Sequence, residues 1–113
     1  WEEPFGLVAI EAMACGTPIL TFAKGALPEI VVDGVTGFIV NSSEQDKRGE
    51  FTIKKTGIQG LVEAIQRLNA LSQQEYAKMR KNCRKRVEEN FTVEKMVDGY
   101  EKIYQAVISK NKL

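Results

Sequence analysis

The stretch GLVAIEAMACGTPILTFA, residues 6–23, indicates a helix that leads directly into a short strand. From Gly6 to Cys15 most residues favour helices, and Gly16 stands where glycine commonly ends one. The apolar run TPILTFA follows, with its proline at the start, where a strand tolerates proline. We therefore expect a buried helix followed by a short apolar strand.

The next residues continue the alternation of helix and strand. KGALPEIVVDG, residues 24–34, is typical of a tight loop, one or two turns of helix and a turn at Asp33-Gly34. TGFIV, residues 36–40, is typical of a second short strand. Apolar runs that alternate with helices and small glycine or proline loops predict an α/β fold with a parallel, doubly wound, partly Rossmann-like sheet.

The rest of the chain is predicted to be a loop followed by helices. Residues 44–57 are polar and contain glycine, so we expect a surface excursion in which FTI is a candidate extended piece. Residues 58–113 predict three helices that form a helical C-terminal tail. Each helix has an apolar stripe: Ile58, Leu61, Val62, Ile65 and Leu68 in the first, Tyr76, Met79, Cys83 and Val87 in the second, and Val93, Met96, Val97, Tyr100, Ile103, Tyr104 and Val107 in the third.

The composition fits one small globular domain, because 43% of the 113 residues are hydrophobic. A net charge of +1 argues against a dedicated nucleic-acid binder. The absence of histidine excludes a histidine general base and a Ser-His triad within this chain. No apolar run approaches the roughly 20 residues that span a bilayer, and a reducing cytoplasm is the expected location. Because the chain starts on WEEPFG, without an initiator methionine, we expect it to be part of a longer protein.

KMRKNCRKR, residues 78–86, is the only dense basic cluster in the sequence. One hypothesis gives this cluster a contact with phosphate or with an anionic lipid, and the other makes it a solvated helix face. No aromatic residues alternate with the bases, which favours the solvated face.

Two carboxylates, Glu3 and Glu11, flank the start of the first helix and point to a ligand. Glu11 stands among apolar neighbours, where a charged side chain needs hydrogen-bond donors. The helix N-terminus offers unpaired N–H groups to phosphate, and Gly6 lets a ligand approach the backbone closely. Glu11 follows Leu7 by one turn, so it can face the same crevice and accept from sugar or ribose hydroxyls. Equally open is a structural Glu11 that is bound to a neighbouring backbone amide.

The same motif resembles a known signature. EPFGLVAIE, residues 3–11, has a glutamate, seven intervening residues and a second glutamate, with Phe-Gly after the first. AMACGTP, residues 12–18, and KGALPEIVVDGVTGFIV, residues 24–40, continue the pattern. Together they resemble the family 4 retaining glycosyltransferases, also called glycosyl transferases group 1, which have the GT-B fold. The resemblance is strongest over residues 1–40, and Lys24 departs from the glycine that is common at its position.

The resemblance implies roles for five residues. Glu3 would bind hydroxyls of the donor sugar and act as the catalytic residue, and Glu11 would bind the ribose of the nucleotide. The backbone of Phe5, Gly6 and Leu7 would contact the donor sugar and its diphosphate. Neither a metal nor a cofactor is implied, since an oxygen of the departing phosphate is thought to help deprotonate the acceptor.

By the same resemblance, the chain is the second half of a C-terminal nucleotide-sugar-binding domain, with residues 1–43 as its donor-site segment. An acceptor-binding N-terminal domain, with an Arg and a Lys that neutralise the diphosphate, would precede it. A UDP-sugar is the expected donor, an unspecified sugar, lipid or small molecule is the acceptor, and no nucleic acid is expected. The alternatives are a GT-B phosphorylase or sugar-nucleotide epimerase, and a non-catalytic helical module that binds RNA or acidic lipid.

Overall fold

The computed structural model describes residues 4–91, with side chains from residue 6 onward. Within that range the chain forms α1 Pro4–Ala14, β1 Ile19–Phe22, α2 Leu27–Ile30, β2 Gly37–Val40, α3 Gly57–Ala70 and α4 Gln73–Asn90. The predicted α/β fold is confirmed. The third predicted helix, with its stripe from Val93 to Val107, lies outside the described residues. None of the helices within residues 4–91 is long and apolar enough to cross a membrane.

The two strands pair in parallel and form a two-stranded sheet. Ile19 stands opposite Gly37, and Phe22 stands opposite Val40. Gly37 has a φ of 151°, and a β-carbon at this position would overlap the carbonyl oxygen of Ile19. Glycine is therefore the residue that allows the two strands to begin side by side.

The side chains of β2 divide the core into two clusters, because the strand is buried on both faces. Ile39 belongs to the first cluster, and Phe38 and Val40 belong to the second, as alternation along a strand requires. Helices on both faces are typical of parallel sheets. The first cluster has the buried residues Ala9, Ile10, Met13, Ala23, Ile30, Val31, Ile39 and Cys83, and the second has Phe38, Val40, Ile53, Ala64 and Met79.

The predicted excursion over residues 44–57 consists of loops and turns up to residue 56, because Gly57 already begins α3, and FTI forms no strand. Asp33, in the turn before β2, anchors this segment through both carboxylate oxygens. Its Oδ1 accepts a hydrogen bond from the N–H of Ile39 at 3.0 Å. Its Oδ2 accepts from the N–H and the hydroxyl of Thr52, at 2.8 and 2.9 Å. With Ile53 buried next to Thr52, the excursion is fixed to the sheet.

α3 contacts the strands through small residues. Gly60 and Ala64 are buried, and a β-carbon on Gly60 would overlap the Val40 side chain of β2 and the Lys55 carbonyl. Ile58, the first residue of the predicted apolar stripe, is 78% exposed, and Val62 and Ile65 are nearly half exposed. The helix approaches the sheet closely because its contact face lacks large side chains, and this turns part of the apolar stripe toward solvent.

Candidate functional site

α1 begins at Pro4, a residue suited to the first turn because its missing N–H would have no acceptor within the helix. The same turn contains Phe5, Gly6 and Leu7, and the N–H groups of Phe5 and Gly6 come too early in the helix to bond within it. Gly6 is buried and Leu7 is half-buried. Three predicted site residues thus lie at one helix terminus, whereas Glu3 lies outside the described residues.

The other end of α1 turns the chain into β1. The N–H of Gly16 bonds to the carbonyl of Met13 at 2.8 Å, and the N–H of Thr17 bonds to that of Ala12 at 2.9 Å. This pair of bonds is a Schellman motif, and Gly16 has the left-handed φ of 78° that the motif requires. Because α1 contacts β1 and ends where that strand begins, its N-terminus points toward the edge where the strands end. Ligands of parallel sheets bind at that edge.

Glu11 lies on the exposed side of α1, one turn after Leu7. Ile10 and Met13 are buried, but Val8 is 61% exposed, so the helix is buried on one side only. The expectation of apolar surroundings for Glu11 is therefore wrong. Because Val8 on the exposed face is also apolar, the sequence did not show which side of the helix is buried. Among the described residues no donor bonds to the Glu11 carboxylate, so the structural alternative gains no support there.

The loop after β1 lies at the same edge of the sheet. Lys24 is exposed, and its N–H bonds to the carbonyl of Phe22 at 2.8 Å. Its own carbonyl accepts from the N–H of Leu27 at 3.2 Å, and Gly25 between them has the left-handed φ of 56°. The Lys24 ammonium forms no ion pair with any residue of the range 4–91. This loop therefore offers a positive charge at the edge toward which α1 points.

Two arginines of the basic cluster bind backbone carbonyls. Arg80 donates from Nε to the carbonyl of Gly16 at 3.0 Å. Arg86 donates from Nε to Ile30 and from Nη2 to Glu29, both at 2.6 Å. These carbonyls lie at the C-terminal ends of α1 and α2, where a positive charge is favourable. The expectation of a solvated face holds for most of the cluster, in which Arg80 and the lysines are exposed. It is wrong for Arg86, which is half-buried, and both Arg80 and Arg86 join α4 to the other helices.

Cys83 belongs to the same contact between α4 and the sheet. Its Sγ donates to the carbonyl of Thr36 at 3.4 Å, and burial raises the pKa of the thiol. A protonated, hydrogen-bonded thiol is a poor nucleophile, so the role of Cys83 is structural. Across residues 4–91, no group of three or more Cys, Asp or Glu side chains could hold a metal ion.

Comparison with known proteins gives a family match over most of the chain. The family described as Glycosyl transferases group 1 matches residues 1–86. The N-acetyl-alpha-D-glucosaminyl L-malate synthase of Bacillus anthracis is 34% identical over 112 residues, covering 98% of this chain and 26% of that protein. A D-inositol 3-phosphate glycosyltransferase of Mycolicibacterium gilvum is 59% identical over 45 residues, covering 40% of this chain and 10% of that protein.

A solved structure shows the same fold. The sucrose-phosphate synthase from Thermosynechococcus elongatus superposes with a TM-score of 0.66 at 36% identity, over 96% of this chain and 24% of that one. That protein is a glycosyltransferase of GT-B type, which confirms the predicted type of fold. The chain spans about a quarter, or less, of the length of the relatives that it matches.

Proposed function

This chain belongs to the glycosyl transferases group 1 family, and we propose that it forms part of the donor site of a retaining glycosyltransferase that uses a UDP-sugar. One observation carries the proposal. The N-terminus of α1 points to the edge where the strands end, and Glu11, one turn along, is exposed and has no donor within residues 4–91.

The start of α1 would bind the diphosphate of the donor. The N–H groups of Phe5, Gly6 and Leu7 stand at the positive end of the helix dipole, and those of Phe5 and Gly6 have no acceptor within the helix. Phosphate oxygens are suited to such a terminus, and the missing β-carbon of Gly6 lets them come close to the backbone. These contacts do not depend on which sugar is attached.

The two carboxylates would bind opposite ends of the donor. Glu11 would accept hydrogen bonds from the two ribose hydroxyls, since a carboxylate can accept several bonds and forms stronger ones than a neutral acceptor. Glu3 would accept from hydroxyls of the transferred sugar and hold it in position for attack, which makes it the catalytic residue of this segment. The nucleotide contact and the sugar contact would then belong to different side chains.

In the proposed reaction, the bond between the sugar and the diphosphate breaks while the acceptor hydroxyl attacks from the same face. A phosphate oxygen of the departing UDP takes the acceptor proton. Positive groups that neutralise the diphosphate, and the acceptor site itself, would come from an N-terminal domain. We propose residues 1–43 as the donor-site segment, residues 44–57 as the excursion and residues 58–113 as the C-terminal helices, and we expect this chain alone to be inactive.

The acceptor that we propose is a small hydroxyl compound with an acidic group. The names of the matched relatives contain L-malate, D-inositol 3-phosphate and sucrose-phosphate, each of which carries carboxylate or phosphate groups. Lys24 is an exposed cation at the edge of the sheet where the donor would lie. A positive charge at this edge favours an anionic reactant over a neutral one.

The proposal is tested with the purified protein that contains this chain. Calorimetric titration with UDP, ADP and GDP should show that UDP binds most tightly, and proton NMR of the product from a UDP-sugar should show a retained anomeric configuration. Turnover of the UDP-sugar without an acceptor would indicate an epimerase, and a requirement for inorganic phosphate would indicate a phosphorylase. Absence of nucleotide binding, with RNA or vesicle binding that falls steeply with salt, would indicate a helical interaction module.

A further inference from the structure

A cavity lies on α4 beside the C-terminal end of α1. It has a volume of about 280 Å³ and is lined by Gln73, Tyr76, Ala77, Arg80 and Arg84. These residues recur at helical spacing and share one face of α4. α1 has 11 residues and is therefore about 16 Å long, so its full length separates this cavity from the proposed donor site.

Two guanidinium groups form one wall of the cavity, and both are positioned by Gly16. The Nε of Arg80 donates to the Gly16 carbonyl at 3.0 Å, which leaves its two terminal nitrogens for other acceptors. The guanidinium of Arg84 lies over the Gly16 α-carbon, with Nη2 2.7 Å from where a β-carbon would stand. Only a glycine at this position lets both arginines approach the end of α1 together.

The positive charge of this wall is not balanced nearby. Within residues 4–91 neither arginine forms an ion pair with a carboxylate, and Arg84 has no hydrogen-bond acceptor there. Glu88, one turn after Arg84, is exposed and forms no ion pair with it. Tyr76 is 38% exposed beside the two cations and can supply a hydroxyl donor.

We propose that this cavity is a binding site for a phosphate group, separate from the donor site. The planar guanidinium forks of Arg80 and Arg84 match the oxygens of phosphate, and the hydroxyl of Tyr76 adds a neutral donor. The volume holds a phosphate group with a small organic part, but not a whole nucleotide-sugar. Two sources carry such a phosphate, a free phosphorylated metabolite and the headgroup of an anionic phospholipid, and the experiment below distinguishes them.

NMR of the arginine side chains tests the proposal in the full protein. The Nε–Hε signals are followed while inorganic phosphate is added at constant ionic strength, with UDP present to occupy the donor site. We expect a saturable shift of the Arg84 signal. Arg84→Gln should weaken phosphate binding about tenfold or more, the effect of losing charge-assisted hydrogen bonds. Lys78→Gln, which removes an exposed charge outside the cavity, should leave the affinity unchanged.

A second variant and two kinds of vesicle complete the test. Tyr76→Phe removes only a hydroxyl and should weaken phosphate binding a few-fold, so it replaces Arg84→Gln if that variant melts early. Vesicles of phosphatidylglycerol and of phosphatidylcholine identify the source of the phosphate. A shift of the Arg84 signal with the anionic vesicles but not with the neutral ones supports a lipid headgroup. An unshifted Arg84 signal with phosphate and with both vesicles, or equal losses in Arg84→Gln and Lys78→Gln, would overturn the proposal. Failure of UDP to bind would contradict the proposed function but leave this result intact.

Discussion

The two ends of α1 are built from different chemistry. At the C-terminal end, the Schellman bonds to Gly16 and Thr17 close the helix, and Arg80 donates to the next free carbonyl. At the N-terminal end, the N–H groups of the first turn have no acceptor within the helix, and Glu11 is exposed one turn along. Among residues 4–91, the chain supplies partners to one end of the helix and none to the first N–H groups of the other, which are available to a ligand.

Two other helix ends have hydrogen-bond partners within the chain. The C-terminal carbonyls of α2 receive two hydrogen bonds from Arg86, so α4 supplies donors to both helices that cover the first face of the sheet. The N-terminus of α4 is closed by a capping box of Ser72 and Glu75. α2 and α3 also begin without a side-chain cap, so the distinguishing feature of α1 is the position of its N-terminus at the edge where parallel strands end, where a ligand is expected.

The largest effect on stability should come from altering the C-terminal end of α1 at Gly16. Gly16→Ala places a β-carbon on a left-handed residue and displaces the guanidinium of Arg84. We expect a loss of about 2 to 3 kcal/mol in the free energy of unfolding, measured by urea denaturation.

Gly34→Ala is the matched control. Gly34 has the same φ of 78°, but its β-carbon would meet only the Thr52 hydroxyl at an ordinary 3.7 Å. Its loss should be about 1 to 2 kcal/mol, from backbone strain alone. Equal losses in the two variants would mean that Arg84 contributes nothing to the closed end of α1.

The second effect concerns the end of α2. Arg86→Met keeps an apolar stem but leaves the carbonyls of Glu29 and Ile30 without their charged donor. The expected loss is about 2 kcal/mol, as for hydrogen bonds to charged groups, measured by thermal and urea unfolding. Lys85→Met is the control, because Lys85 is exposed and approaches Glu89 only to 3.9 Å. A stable Arg86→Met variant would show that water replaces the arginine at these carbonyls.

The smallest effect should come from the capped N-terminus of α4. Ser72→Ala removes the acceptor for the N–H of Glu75 and should cost about 1 kcal/mol. The hydrogen bonds from Ser72 lower the pKa of Glu75, so their stabilisation is present above the usual pKa of glutamate. It is lost as the pH falls through the lowered pKa. Urea denaturation at a series of pH values should therefore show the stability advantage of the parent over Glu75→Gln shrinking in acid, and a constant difference would contradict this role of Glu75.

Local signals in the sequence were enough to predict the elements that position the site. Gly16 ends α1 as its conformational freedom suggests, and the apolar runs at residues 19–22 and 37–40 become the paired strands. The burial of β2 on both faces follows from its continuous apolar character. These features depend on residues close together in the chain, so pattern alone determines them.

Contacts between distant residues could not be predicted in the same way. Arg86 stands seven residues after the buried Met79 and shares its face, which was an available signal, but its acceptors at Glu29 and Ile30 lie more than 50 residues away. The bond from Thr52 to Asp33 also depends on how the excursion folds back. Such partners are set by the packing of whole elements.

In the donor site that we propose, the N-terminal end of α1 binds the nucleotide through Glu11 and the sugar through Glu3. In the protein that contains this chain, Glu11→Ala should weaken the binding of UDP and of the UDP-sugar alike, by about 1.5 to 3 kcal/mol. That range is roughly 10- to 150-fold in affinity. Because Glu11 is exposed, its loss should change the unfolding free energy by less than about 0.5 kcal/mol.

Calorimetric titration of UDP into Glu11→Ala and Glu3→Ala is the direct measurement. We expect Glu11→Ala to lose UDP affinity. Glu3→Ala should bind UDP as the parent does and lose turnover of the UDP-sugar, because Glu3 is proposed to contact only the transferred group. Unchanged UDP binding by Glu11→Ala, with its melting curve intact, would contradict the claim. Equal loss in both variants, again with intact melting, would show that the roles of the two carboxylates are misassigned.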